Sequence, residues 1–473
     1  MRARYRVVIA GAGLAAIASI AAVCLLARRE PVPPNVLLIS LDTLRADHLG
    51  CYGYGVDTSP NLDAYAAHRA ALFETSVAAA PSTEPSHAAI FTSLLPSHNG
   101  AFFSRRAPLP ERFTTMAELL QRAGYRTMSV NDGGQMDAAL GFAQGFDEYI
   151  TLPGRAQLAK FRKTAEVAVR WLDARVDRDQ PWFMFLHTYE PHHPYNPGAE
   201  FYEAIGHRYS GPLPAIIDKP LLAEINSGKL ALTDADRRHV VAAYDGDIRS
   251  TDAAFGDLIA ALDARELLED TVVIVTSDHG EEFGEHGRMG WHSHALWDEQ
   301  LLVPLIIGLP DGGFAGRRIR SQVRGIDLLP TVLELVGAAP LAAAEGRSLL
   351  PLLRGEPELE RRAVIQQDVP DDAIPTALRS EGKKLYLRGA EPPLLYDLVA
   401  DPGEKKDLCQ GDEEKVAGLR AKLDALLAAR PDASREAPAA LDAAVLEKLK
   451  SLGYVVKESA HEDAGAGADG GPR

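Results

Sequence analysis

The chain has 473 residues, 46% of them hydrophobic and 25% charged, enough apolar material for a large core and more than one structural unit. Its 50 Lys and Arg against 66 Asp and Glu leave a formal charge of -16, which argues against a general role on nucleic acid or an anionic membrane surface. Cys24, Cys51 and Cys409 have no paired spacing, so neither a disulfide framework nor a thiolate metal knuckle is indicated.

Arg2, Arg4 and Arg6 precede an uncharged apolar run, Val7 to Ala27, that reaches the length of a membrane span. It stops at the Pro-rich stretch Arg28-Arg29-Glu30-Pro31-Val32-Pro33-Pro34. This pattern predicts an export segment over residues 1–30, kept as an anchor in the cell envelope or periplasm rather than cleaved. Gly11, Gly13 and Ala16 match a dinucleotide-binding fingerprint, but the strand, helix and acidic residue that it needs do not follow.

Residues 31–340 alternate short apolar runs with amphipathic stretches, which predicts an α/β layer fold. Buried strands are expected at Asn35–Ser40, Trp182–Leu186 and Thr271–Thr276. A helix is expected from about Arg237 to Leu262, where Val241, Tyr244, Ile248, Phe255, Ile259 and Leu262 recur at helical spacing. In an open α/β sheet the chemistry sits outside the carboxyl ends of the strands. Asp42 follows the first run and Asp278 and His279 follow the third, so two carboxylates and an imidazole can converge; singly, each Asp reads as a turn residue or a helix cap. Thr83, in Ser82-Thr83-Glu84-Pro85-Ser86-His87, is either a cap or a nucleophile.

Residues 341–430 are expected to form a smaller α+β subdomain. Its strands fall at Lys383–Leu387 and Pro393–Leu398, and its helix carries Val416, Leu419, Leu423 and Leu426 on one apolar face. A short helix at Ala439–Lys450 and a disordered tail rich in Gly, Ala and Asp complete residues 431–473.

LLISLDTLRADHLGCYGY, Leu37–Tyr54, resembles the opening of the sulfatase family within the alkaline-phosphatase superfamily, and TSDHGEEFGEHG, Thr276–Gly287, resembles its second metal-binding segment. FLHTYEPHHPYNP, HALWDEQLLVPLII, GIDLLPTVLELVG, EGRSLLPLLRGE and LYDLVADPGEKKDL resemble further family segments in the same order, over residues 34–410. The resemblance implies an alkaline-phosphatase-like sandwich, a central mostly parallel sheet flanked by helices, plus a small carboxyl-terminal α+β subdomain. It implies that Asp42, Thr83, Asp278 and His279 hold one divalent cation (Ca, Mn or Zn) and that Thr83, activated by that cation, attacks the substrate. His192 and His294 match positions that contact the anion or the leaving group, where an imidazole can protonate the departing oxygen. His87 stands where the family has an arginine and Arg45 lies in the matching DTLRADHLG run; both are candidates to bind the anion, Arg45 equally for a structural salt bridge. Asp47 and His48 read as a structural turn, and His187, His286 and His292 are weaker candidates.

The departures from the family matter as well. Sulfatases that use formylglycine begin Cys/Ser-x-Pro-Ser-Arg, whereas this chain has Thr83-Glu84-Pro85-Ser86-His87, and threonine cannot become that aldehyde. The family's Lys-x-His segment is also missing from Gly124–Met136. An aldehyde hydrate expels sulfate by re-forming its carbonyl, but a loaded threonine needs a second attack, a step familiar at phosphoryl centres. These features together point to a metal-dependent hydrolase of sulfate or phosphate esters on a small molecule, glycan or lipid, with phosphoryl chemistry favoured. The alternatives are a membrane-anchored phosphoethanolamine- or glycerol-phosphate-type transferase, against which a single span counts, and a catalytically silent binding protein, against which the retained ligand set counts. No nucleic-acid partner is expected; the membrane is reached through the amino-terminal segment.

Overall fold

Asn35–Leu41 is buried almost throughout because both faces of its sheet are covered. Val36 and Leu38 enter one apolar layer, while Leu37, Ile39 and Leu41 enter the other. The neighbouring strands repeat the partition: Phe183 and Phe185 oppose Trp182, Met184 and Leu186, and Val272 and Ile274 oppose Val273 and Val275. Period-two alternation between two cores makes the sheet the middle layer of a sandwich. The structure is a computed structural model that describes residues 32–435, apart from 106, 153–159, 176–178, 358–361 and 370–372, together with position 447. The export segment, the helix expected at Ala439–Lys450 and the tail lie outside the described residues. Among the described residues, no helix is long and apolar enough to cross a membrane.

The main sheet has eight strands, in the order Arg318–Ile319, Ala70–Phe73, Leu305–Gly308, Thr271–Thr276, Asn35–Leu41, Trp182–Thr188, Arg126–Asn131 and Glu148–Thr151. Neighbours pair in parallel except at Leu305–Gly308, which runs antiparallel to both its partners. The chain therefore has the mostly parallel α/β sandwich that its sequence leads one to expect. One face is covered by Phe161–Arg175 and the 30-residue helix Asp234–Asp263. The long helix starts before Arg237 because Thr233 and Asp236 form a capping box at its amino end. Thr83–Thr92, Met116–Arg122 and Leu328–Leu335 cover the other face.

A second sheet is antiparallel, in the order Ala363–Gln366, Thr376–Ser380, Lys383–Leu387 and Leu394–Asp397. Its Leu378, Leu385 and Leu395 pack with Leu419 and Leu423 of the Glu413–Leu427 helix. Ala79, Ala89 and Ile326 share that cluster, so the smaller unit packs on the Thr83–Thr92 helix. Lys384 is fully buried, with Nζ 2.7 Å from Asp298, 2.8 Å from Glu404 and donating to the Leu296 carbonyl at 2.9 Å. Arg379 lies 2.8 Å from the other oxygen of Asp298, so two cations and two carboxylates neutralise one another inside the protein.

Candidate active site

Three parallel strands end side by side. Asn35–Leu41 delivers Asp42, Thr271–Thr276 delivers Ser277, Asp278 and His279, and Trp182–Thr188 places His187 in register with Ser40. The Thr83–Thr92 helix brings its amino terminus to the same place, with Ser82 as N-cap and Thr83 as the first helical residue. Asp42, Thr83, His187, Asp278 and His279 are all buried.

Neither hydroxyl at this helix start acts as a cap. Ser82 makes no capping bond, because Pro85 in the third helical position has no N–H and the Glu84 amide donates instead to Gln135 Oε1 at 3.1 Å. Thr83 Oγ1 donates to Asp42 Oδ2 at 3.3 Å. The choice between cap and nucleophile that the sequence leaves open is thus narrowed: Thr83 faces a carboxylate, at the end of a helix whose dipole favours anions.

The neighbouring donors have the spacing of a cation site. Asp278 Oδ2 and His279 Nε2 are buried without hydrogen-bond partners and stand 3.6 Å apart, and Asp42 Oδ1 lies 3.8 Å from the same nitrogen. Ligands about 2.0–2.2 Å from a four-coordinate cation lie about 3.3–3.6 Å from one another, so the residues present fit such an ion. Asp278 Oδ1 accepts from the amides of His279 at 2.9 Å and Thr43 at 3.3 Å, which fixes the carboxylate with Oδ2 left over. His279 Nδ1 donates to the Gly280 carbonyl at 2.9 Å, leaving Nε2 as the nitrogen with a lone pair. Burial alone would raise the Asp278 carboxyl, but His279, His87 and His187 beside it hold it below the usual carboxylate range.

Backbone geometry supports this arrangement from outside. Thr43 has φ 58°, a left-handed conformation that is unusual for a β-branched residue. Tyr244 of the long helix holds it there, donating to the Thr43 carbonyl at 2.8 Å and accepting from the Arg45 amide at 2.9 Å. Gly280 is needed for a close approach, since a Cβ there would stand 2.2 Å from the Glu299 carbonyl oxygen.

His87 is fully buried; its Nδ1 donates to the Thr83 carbonyl at 2.9 Å and its Nε2 accepts from Ser40 Oγ at 2.9 Å. Burial lowers its pKa from 6.5 to about 4, so the ring is neutral at ordinary pH. Arg45 pairs with Asp47 at 2.7 Å and Glu285 at 2.6 Å and donates to the Glu281 carbonyl at 2.9 Å, the salt-bridge alternative of its two readings. Asp47 and His48 lie in the short turn Ala46–His48, with His48 2.7 Å from Asp245. His286 pairs with Glu299 at 2.6 Å and stacks on Trp297.

An imidazole wall leads away from His279. The ring of His292 is 4.6 Å from it, and that of His192 is 5.0 Å from His292. His292 Nδ1 pairs with Glu281 at 2.8 Å, Tyr195 donates to the other oxygen of Glu281 at 3.0 Å, and His294 Nε2 stands 2.8 Å from Glu282. His187, a weaker candidate in the sequence, has its Nε2 3.5 Å from Asp42 Oδ2, and with His87 and Asp278 it forms a second compact donor group. Its signal was its place at the end of a strand beside the Asp42 strand. Gln135 lies in the stretch where the family motif is missing, so the sequence carries no signal for its bond to the Glu84 amide.

Fold and site define an ester hydrolase in which a buried hydroxyl at a helix start meets carboxylates and an imidazole at the strand ends. The family model described as Sulfatase matches residues 34–338, and the chain belongs to the sulfatase family of the alkaline-phosphatase superfamily. An ulvan-active sulfatase from Formosa agariphila is 27% identical over 429 residues, covering 84% of this chain and 81% of its own length. A multifunctional alkaline phosphatase superfamily protein, PehA, from Trinickia caryophylli is 31% identical over 299 residues, or 54% of this chain and 56% of its own. A solved phosphonate monoester hydrolase of Agrobacterium radiobacter has a TM-score of 0.69 at 25% identity, covering 85% of this chain and 97% of its own.

Proposed function

We propose that this protein is a metal-dependent hydrolase of phosphate and sulfate esters that favours phosphoryl centres, with Thr83 as nucleophile and Asp42, Thr83, Asp278 and His279 as the cation's ligands. The observation that carries this is the 3.3 Å approach of Thr83 Oγ1 to Asp42 Oδ2, beside two buried donor atoms with no hydrogen-bond partner. A divalent cation at these ligands supplies a lowered pKa for the hydroxyl and withdraws charge from the transferring group. The imidazole in the set favours Mn or Zn over Ca. Asp42 aligns the Thr83 hydroxyl, and the helix amino terminus presents its positive end to the incoming anion.

Threonine at position 83 supports the phosphoryl preference, because turnover then requires attack on the loaded side chain rather than collapse of an aldehyde hydrate. The names of two relatives, a phosphonate monoester hydrolase and a multifunctional alkaline phosphatase superfamily protein, lean the same way. We assign His192 and His294 to the anion and the leaving group, with Glu282 orienting His294. The basic-flanked apolar run at residues 7–27 supports export with a membrane anchor, to be tested by fractionating cells that make the full chain. For the chemistry, the purified protein is assayed on matched aryl sulfate, phosphate monoester and phosphodiester substrates with Mn, Zn, Ca or Mg. A phosphate ester is expected to turn over fastest; a clear sulfate preference defeats the phosphoryl assignment.

A further inference from the structure

Pairs of imidazole and carboxylate in this protein differ in how closely they approach. Away from the strand ends they close to hydrogen-bond length: His286 and Glu299 stand 2.6 Å apart, and His48 and Asp245, like His98 and Glu345, 2.7 Å. At the strand ends they stay open. His279 Nε2 is 3.8 Å from Asp42 Oδ1 and 3.6 Å from Asp278 Oδ2, and His187 Nε2 is 3.5 Å from Asp42 Oδ2. A nitrogen and a carboxylate oxygen 3.5 Å apart are too distant for a strong hydrogen bond, but that is the separation of two ligands on one cation.

The sheet explains why His187 keeps the same company as His279. The Asn35–Leu41 strand lies between Thr271–Thr276 and Trp182–Thr188, with Ser40 in register with Thr276 on one side and with His187 on the other. Asp42 leaves the middle strand, so Oδ1 meets His279 while Oδ2 meets His187 and, at 3.3 Å, Thr83 Oγ1. A nitrogen of His187 also lies within 4.8 Å of a carboxylate oxygen of Asp278. His87 belongs to that second group, 3.7 Å from Asp278 Oδ2, but its two nitrogens bond to the Thr83 carbonyl and to Ser40.

We infer that His187 Nε2 is a further ligand of the cation, so that Asp42 holds the ion with both oxygens and has one imidazole on each side. This rests on the assignment of Asp42, Asp278 and His279 as ligands. Two imidazoles on one ion strengthen the preference for Mn2+ or Zn2+ and discriminate against Ca2+ and Mg2+, which take oxygen donors.

The test uses the full chain, stripped with a chelator and loaded with Mn2+. Electron spin-echo spectroscopy of the loaded protein counts the ligated imidazoles; two are expected, and one in His187→Gln and His187→Asn. Equilibrium dialysis of the same variants is expected to show Mn2+ affinity reduced about tenfold or more, with Ca2+ affinity changed far less. If neither variant folds, the count in the unsubstituted protein decides. A single imidazole in the unsubstituted protein, an unchanged count in a His187 variant, or equal weakening of Mn2+ and Ca2+ overturns His187 as a ligand. Asp278→Asn separates the two readings: Mn2+ held equally by that variant and the unsubstituted protein removes the whole ligand set, whereas Mn2+ lost from Asp278→Asn but not from His187→Gln removes His187 alone.

Discussion

His87 Nδ1 donates to the carbonyl oxygen of Thr83, four residues earlier, while its Nε2 accepts from Ser40 on the central strand. One neutral imidazole thereby pins the backbone of Thr83 to the sheet. Where the family motif has an arginine, this chain has a ring with both nitrogens engaged inside the protein.

That arrangement makes stability depend on pH in a defined direction. The ring titrates near pH 4 in the folded protein against 6.5 for an ordinary histidine, so the unfolded chain takes up its proton first as pH falls. The contribution is fully present above about pH 6.5 and is lost progressively towards pH 4, amounting to about 3 kcal/mol. Urea titrations at pH 7 and pH 4.5 read the slope, and His87→Gln is expected to flatten it. An identical slope in that variant removes His87 as its source.

Thr83→Ala is expected to reduce kcat by roughly a thousandfold or more while leaving the fold and the cation content largely intact. Thr83→Ser keeps a hydroxyl and is expected to restore part of the rate. Steady-state kinetics beside elemental analysis separates the two effects. Hydrolysis by the alanine variant at the unsubstituted rate would falsify the nucleophile assignment.

Asp278→Asn replaces the unpartnered Oδ2 by an amide while keeping an oxygen for the amides of Thr43 and His279. The substitution is expected to weaken cation binding by about 10-fold to 100-fold or more and to make activity dependent on added metal. Titration of activity against Mn2+ and Zn2+ checks this; an unshifted metal midpoint rules out Asp278 as a ligand.

How much of this was legible in the sequence differs by element, for physical reasons. The three central strands are continuous apolar runs because both sheet faces are covered, so they can be read without knowing their partners. Two-residue strands such as Ser76–Val77 and Arg318–Ile319 are defined only by what they pair with, and so short a stretch carries no periodicity. The convergence of Asp42, Asp278 and His279 follows from strand-end logic. The place of His187 does not, since an imidazole at a strand end also suits a core. The partner of Arg45 was equally hidden, because Glu285 lies 240 positions away. The cap question at Thr83 could not be decided locally, because the side chain that takes the Glu84 amide, Gln135, is 51 residues further on.

Lys384→Met leaves Asp298 and Glu404 enclosed without their lysine. A loss of about 3–5 kcal/mol is expected, the usual consequence of stranding a buried charge. Thermal and denaturant unfolding measure it, and adding Asp298→Asn should recover part of the loss. A melting temperature unchanged by Lys384→Met counts against the buried ion pair.

The same lysine has a consequence for how the molecule is made. Asp298 closely follows the His292–His294 turn, and Glu404, which accepts its amide, is synthesised 106 residues later. When the ribosome has finished the main sheet, the polypeptide still lacks Glu404, and Leu419 and Leu423 have not yet closed over the Thr83–Thr92 helix. Packing around the Thr83–Thr92 helix is therefore completed only after the Glu413–Leu427 helix emerges, so a product terminated before that helix carries Asp42, Thr83, Asp278 and His279 without this support.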